Sequence, residues 1–251
     1  MLPDPLFYLA AIPALLIVGV SKGGFGGGLG VLGLPILTLA VEPVQAAAVM
    51  LPVLCLMDLI GLRAYWNGWN GRLVALLASG AMLGILFGTL SYSYLHASYI
   101  RLLVGLIAVG FALNYWTGKR VAKSRRAGRG AALLWGSVSG FTSFVAHAGG
   151  PPINVYLLPL KLDKTVYLAT SVAFFTLINY VKLIPYVMLG ALDGSNLLIS
   201  FTLLPLAAAG MWLGLRLHHR VSDDRFYPIA YLLLMLTGIK LLYDGICGVV
   251  T

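Results

Sequence analysis

Mostly apolar runs of about twenty residues recur along this chain, as in Leu73–Tyr92, Tyr99–Thr117, Leu197–Leu215 and Phe226–Tyr243. A run of that length spans a bilayer core of about 30 Å as a helix. Strands of a membrane barrel would instead give ~10-residue segments of alternating polarity. The pattern therefore predicts an all-α polytopic membrane protein with about eight apolar segments. Two stretches interrupt it. SKGGFGGGLGVLGLP (Ser21–Pro35) packs seven glycines around one lysine, and VAHAGGPP (Val145–Pro152) sets a histidine before two glycines and two prolines. Glycine and proline are poor helix-interior residues, and charge inside a membrane is costly. Broken backbone at that depth is tolerated only where it is buried in protein or lines a cavity.

The two interruptions occupy matching places in a repeat. GGGLGVLGLPIL (Gly26–Leu37) corresponds to GPPINVYLLPLK (Gly150–Lys161), with Pro35 opposite Pro159. Asp58 and Tyr65 correspond to Asn179 and Tyr186, both 121 positions on. GILFG (Gly84–Gly88) corresponds to GMWLG (Gly210–Gly214), and Gly110 and Tyr115 to Gly238 and Tyr243. The expected organisation is a first membrane repeat over 1–118, a basic linker over 119–130 and a second membrane repeat over 131–251.

Charge sets the topology. Only 10% of the residues are charged and the mean hydropathy is +0.93, against about 25% charged in a soluble domain. The net +9 sits in short loops, where the positive-inside rule accounts for it without a nucleic-acid partner. With the basic linker in the cytoplasm, Arg63, Arg72, Lys161, Lys164, Arg216, Arg220 and Arg225 fall inside and Glu42 and Asp193 outside, with Lys22 and Arg101 as minor exceptions. The segment 131–160 then begins and ends on one face, its first arm Ala131–Ser143 being too short to cross at about 20 Å. Pro5–Leu39 is the matching hairpin, entered from outside. Each unit is then a re-entrant helical hairpin plus three transmembrane helices. Three is odd, so the two structural repeats are inverted, a transporter signature. Eight full spans in parallel repeats are the rival count. The first twenty residues lack a basic n-region and read as a retained segment. Cys55 and Cys247 have no metal-ligand spacing, and no metal or cofactor is expected.

The glycine-rich GGFGGGLGVLGLPIL, its partner HAGGPPINVYLLPL, and the stretches AxxxxPxxxxxD ending at Asp58 and ATSxxxxxxxN ending at Asn179 resemble the TauE/SafE family of sulfite exporters, also called the 4-toluene sulfonate uptake permease family. The likeness covers nearly the whole chain. It implies a multi-pass transporter of the bacterial inner membrane that moves small anionic sulfur compounds: sulfite, sulfoacetate, related organosulfonates or thiosulfate. Pro151, Pro152 and His147 depart from the glycine-richer second motif usual in the family.

On the residues themselves, a half-helix N-terminus at a broken tip carries free N–H groups and partial positive charge, which suits an anion. Candidate substrate-binding positions are Lys22, Gly23, Gly24, Gly26, Gly27 and Gly28 at the first tip. At the second they are His147, Gly149, Gly150 and Asn154, with Asn179 as a further amide donor. Asp58 and His147 are candidates for proton coupling, Asp58 equally for pairing with a base. Pro35 and Pro159 are candidate hinges. Close helix packing is the alternative role for the glycines, and surface snorkelling for Lys22. His96, His218 and His219 are expected in loops. The expected function is export of a small sulfur oxyanion by a secondary transporter, with membrane lipid as surroundings. Alternatives are an anion channel, an uptake permease, or an intramembrane enzyme using His147 with Ser139, Ser143 or Asp58.

Overall fold

The computed structural model describes residues 5–91, 97–117 and 128–250. The linker expected at 119–130 lies outside the described residues except for its last three. Ten α-helices and two 3-10 turns make up the described elements. The half of the chain before the linker, called the first unit, holds α1 (Pro5–Phe25), a 3-10 turn (Gly28–Leu32), α2 (Gly33–Leu37), α3 (Pro43–Ala64), α4 (Gly71–Ser91) and α5 (Ala97–Trp116). The second holds α6 (Arg129–Ala146), α7 (Gly150–Leu157), a 3-10 turn (Leu158–Leu160), α8 (Lys164–Met188), α9 (Gly194–Arg220) and α10 (Asp223–Val250). Among the described residues, six helices are long and apolar enough to cross a membrane: α1, α3, α4, α8, α9 and α10, with Arg101–Leu113 in α5 a shorter apolar helix.

Each unit opens with a long arm and a short return. The expected arm Ala131–Ser143 is corrected: α6 runs Arg129–Ala146, 18 residues or about 27 Å, because nothing breaks the helix before His147. His147 caps it in the left-handed region at φ 49. The α6 tip reaches Lys182, well along α8, through Ser143. Then α7 and its 3-10 turn bring the chain back to Asp163, whose carboxylate accepts from Thr165 N–H at 2.8 Å and caps α8. In the first unit, α1 likewise reaches Asp58 in the later part of α3 through Lys22, and α2 leads back toward Glu42, where α3 begins.

The units are interlocked through glycine. A Cβ on Gly19 of α1 would lie 2.6 Å from the backbone of Gly210 in α9, and one on Gly23 would lie 2.8 Å from Met211 O. A Cβ on Gly84 of α4 would lie 2.0 Å from Ser137 O in α6, and one on Gly140 of α6 would lie 2.3 Å from Ala81 O. The GILFG and GMWLG motifs thus each clasp the arm of the other unit, small residues letting backbones touch. Residue order along these seams gives directions. α1 runs parallel to α9 and α6 parallel to α4, while Val109 faces Gly238 and Leu102 faces Gly245, so α5 and α10 are antiparallel. Asp58 meets Asn179 and Gly61 meets Val172, so α3 and α8 are antiparallel too.

Candidate functional site

Both tips end at a small cavity of about 30 Å³ lined by Lys22, Gly27, Ser143, His147, Gly150 and Asn179, among others. It has room for little more than a water molecule. Lys22 lies in the last turn of α1, where a cation complements the negative helix end. It is buried and forms an ion pair with Asp58 at 2.6 Å, with its ammonium 5.3 Å from the Phe175 ring centroid. The other Asp58 oxygen accepts from the Asn179 amide at 2.6 Å. The snorkelling alternative for Lys22 is therefore excluded by its burial, and the Asn179 amide serves Asp58.

A second buried lysine completes the cluster. Lys182 is fully enclosed and donates to Ser143 O, Ser143 Oγ and His147 Nδ1, each at 3.0 Å. On its other side His147 Nε2 lies 3.1 Å from the Ala47 carbonyl. A carbonyl only accepts, so Nε2 carries the proton and Nδ1 accepts: the imidazole is neutral. With both lysines as ammonium groups, the cluster holds two cations and one carboxylate. A buried excess charge is costly unless something compensates it.

The tips also share a pattern of bonds. Tyr65 donates to Gly23 O at 2.6 Å and its repeat partner Tyr186 to Phe144 O at 3.1 Å. Gly23 and Phe144 are themselves 121 positions apart. Beyond this, the candidates divide. Gly27 and Gly150 line the cavity. Gly23 and Gly24 press on the α9 backbone, which is the packing role. Gly26, at φ 69, lies against the Tyr167 ring. Gly28 begins the 3-10 turn, and Gly149 packs on Ser139 and Ser143. The Asn154 side chain accepts from Tyr167 at 2.6 Å. At the start of α7, Pro151 and Pro152 have no N–H, so the second tip offers fewer backbone donors than a half-helix end normally does. Pro35 falls within α2 and Pro159 in the second 3-10 turn.

The two sides of the central cavity differ. On the face bearing Glu42 and Asp193, a vestibule of about 750 Å³ is lined by Ala47, Phe144, Tyr186, Arg101 and Asn196 with those two acids. His147 stands between this vestibule and the central cavity. On the opposite side, Tyr65, Tyr167, Phe226, Tyr227 and His218 pack edge to face. His218, expected in a loop, is buried in the last turn of α9. That turn continues through His219 to Arg220.

A family model described as sulfite exporter TauE/SafE matches residues 11–241. The chain belongs to this family. No curated protein and no solved structure matches it. Membership of TauE/SafE makes the protein a multi-pass membrane transporter of the sulfite and sulfonate exporter type. Sequence reasoning missed Lys182 within this TauE/SafE chain. The signal was available, since an ionisable residue in a long apolar run marks a functional position by default.

Proposed function

We propose that the protein is a secondary transporter that exports a small sulfur oxyanion, such as sulfite or sulfoacetate, across a bacterial inner membrane, holding it between the two hairpin tips. The observation that carries this reading is the buried cluster of Lys22, Lys182 and a single carboxylate, which an anion would bring to neutrality. The inside-negative potential favours anion export by about 2.3 kcal/mol per charge per 100 mV. Asp58 and His147 remain the groups for any proton coupling, and Pro35 and Pro159 the hinges. An inverted arrangement of the repeats is supported by two antiparallel pairs of equivalent helices, α3 with α8 and α5 with α10. The basic ends Arg63, Lys164 and Arg220 then face the cytoplasm, with the vestibule outside.

Saturable flux of radiolabelled sulfite, sulfoacetate or thiosulfate into proteoliposomes holding the purified protein supports the reading. Conductance without saturation marks a channel, and absence of flux for all three overturns the substrate class. Single-cysteine labelling in intact cells tests the fold proposal. Position 193 is expected to label from outside and position 161 not, and labelling at 161 replaces the hairpins with eight full spans.

A further inference from the structure

Lys182 and His147 are related differently from Lys22 and Asp58. Lys22 is one half of an ion pair. Asp58 already supplies the negative charge, and Asn179 fixes its second oxygen at 2.6 Å. Lys182 has no carboxylate among its hydrogen-bond partners. All three N–H donors go to neutral acceptors on the last turn of α6 and its cap: the Ser143 carbonyl, the Ser143 hydroxyl and His147 Nδ1. A sulfur oxyanion is a better acceptor for an ammonium than a neutral imidazole, because the attraction of opposite charges adds to the hydrogen bond and is strong away from water. Lys182 is screened from the central cavity by Ser143 and His147, which line it, and the cavity holds about 30 Å³, so the anion reaches Lys182 only if a side chain leaves. His147 is the side chain placed to leave. It holds the left-handed corner at φ 49, a conformation strained for any residue with a Cβ. Its ring also spans from Lys182 to the Ala47 carbonyl on the vestibule wall.

We propose that Lys182 is the counter-charge of the transported oxyanion, and that His147 is an internal ligand that occupies Lys182 until the anion displaces it. This rests on the reading of the protein as an anion transporter and names the group that reads the charge. Swinging His147 off Lys182 breaks the bonds to Lys182 and Ala47 together. The same movement opens the cavity toward the vestibule and frees a donor for the substrate. The first tip has no such group: its corner residue is Gly26, and its lysine is already neutralised.

The test is nitrogen NMR of the ¹⁵N-histidine-labelled full-length protein in nanodiscs, titrated with sulfite, the His147 signal being assigned by its loss in His147→Gln. Without sulfite, Nδ1 is expected at the position of a hydrogen-bonded acceptor, and saturating sulfite shifts it to that of a free one. Lys182→Met is expected to give the free position with no sulfite present and to raise the half-saturating sulfite concentration about tenfold or more, with partial recovery in Lys182→Arg. If wild-type protein binds and transports sulfite while the His147 signal stays in place, the displacement is wrong and the transporter reading survives. Wild-type affinity in Lys182→Met removes Lys182 from the site with the same consequence. The wild-type titration decides even if Lys182→Met does not fold. Wild-type protein that neither binds nor moves sulfite, sulfoacetate or thiosulfate overturns both readings together.

Discussion

At the same corner of the two hairpins stand Gly26 and His147, 121 positions apart and both left-handed, at φ 69 and φ 49. The helix facing each corner compensates for its size. Opposite Gly26 is the ring of Tyr167 in α8, while the position 121 earlier in α3 is Ala46, and His147 reaches its neighbour Ala47. Bulk has moved from the span to the tip between one unit and the other. On the Tyr167 side, aromatic rings pack edge to face; on the Ala47 side the vestibule reaches Phe144 and Val145, near the tip. The two corners thus differ in surroundings: the large side chain is carried by the facing helix at one and by the hairpin corner itself at the other. The charges part in the same way: Lys22 sits on its hairpin and is matched by an acid, whereas Lys182 sits on its span and is matched by neutral groups.

The charge difference is the part most open to attack. Asp58→Asn leaves Lys22 buried without its counter-ion, and loss of one partner of a buried pair costs about 3–5 kcal/mol. Lys182→Met removes a charge that has no acidic hydrogen-bond partner, and is expected to cost clearly less. Thermal unfolding of the two purified variants checks this, and equal losses would mean that the two lysines are held alike. The seams between units come next. An added methyl at Gly84 meets Ser137 O at 2.0 Å, and one at Gly210 meets Leu15 O at 2.9 Å. Overpacking costs about 1–3 kcal/mol, so both alanine variants lose stability and Gly84→Ala loses more. Denaturation midpoints in one detergent test the order. The smallest effect separates neighbours at the first tip. Gly27→Ala pays only for its left-handed backbone, about 1–2 kcal/mol, since its nearest contact is an ordinary 3.6 Å. Gly26→Ala pays that and also pushes on Tyr167, 2.6 Å away. Gly26→Ala combined with Tyr167→Phe sharpens the comparison little, because the ring carbon is the closest atom; Tyr167→Ala is expected to recover part of the loss.

Much of this was legible in the residues. Apolar runs gave helices, and glycine and proline marked both tips. Pairing Asp58 with Asn179 and Tyr65 with Tyr186 picked out residues that meet directly or make equivalent bonds. Lys182 was legible and overlooked, a lone charge within VKLIPYV. The division of the glycines was not legible. Gly23 packs and Gly27 lines the cavity because α9 lies against one and not the other, and nothing local to the tip encodes where a helix about 190 residues later will lie. The burial of His218 follows in part from the same kind of distant neighbour, the ring of Tyr65.

The clasp between Gly19 and Gly210 also orders events during synthesis. A ribosome adding about 5–20 residues per second needs roughly 10–40 s to travel from one glycine to the other. For that interval the first arm is in the membrane without the helix that covers its narrow face. Its lysine is shielded only once Asp58 has emerged, much sooner. The ion pair is therefore available as a provisional hold on the nascent first half, with the glycine seam closing over it when the second half arrives.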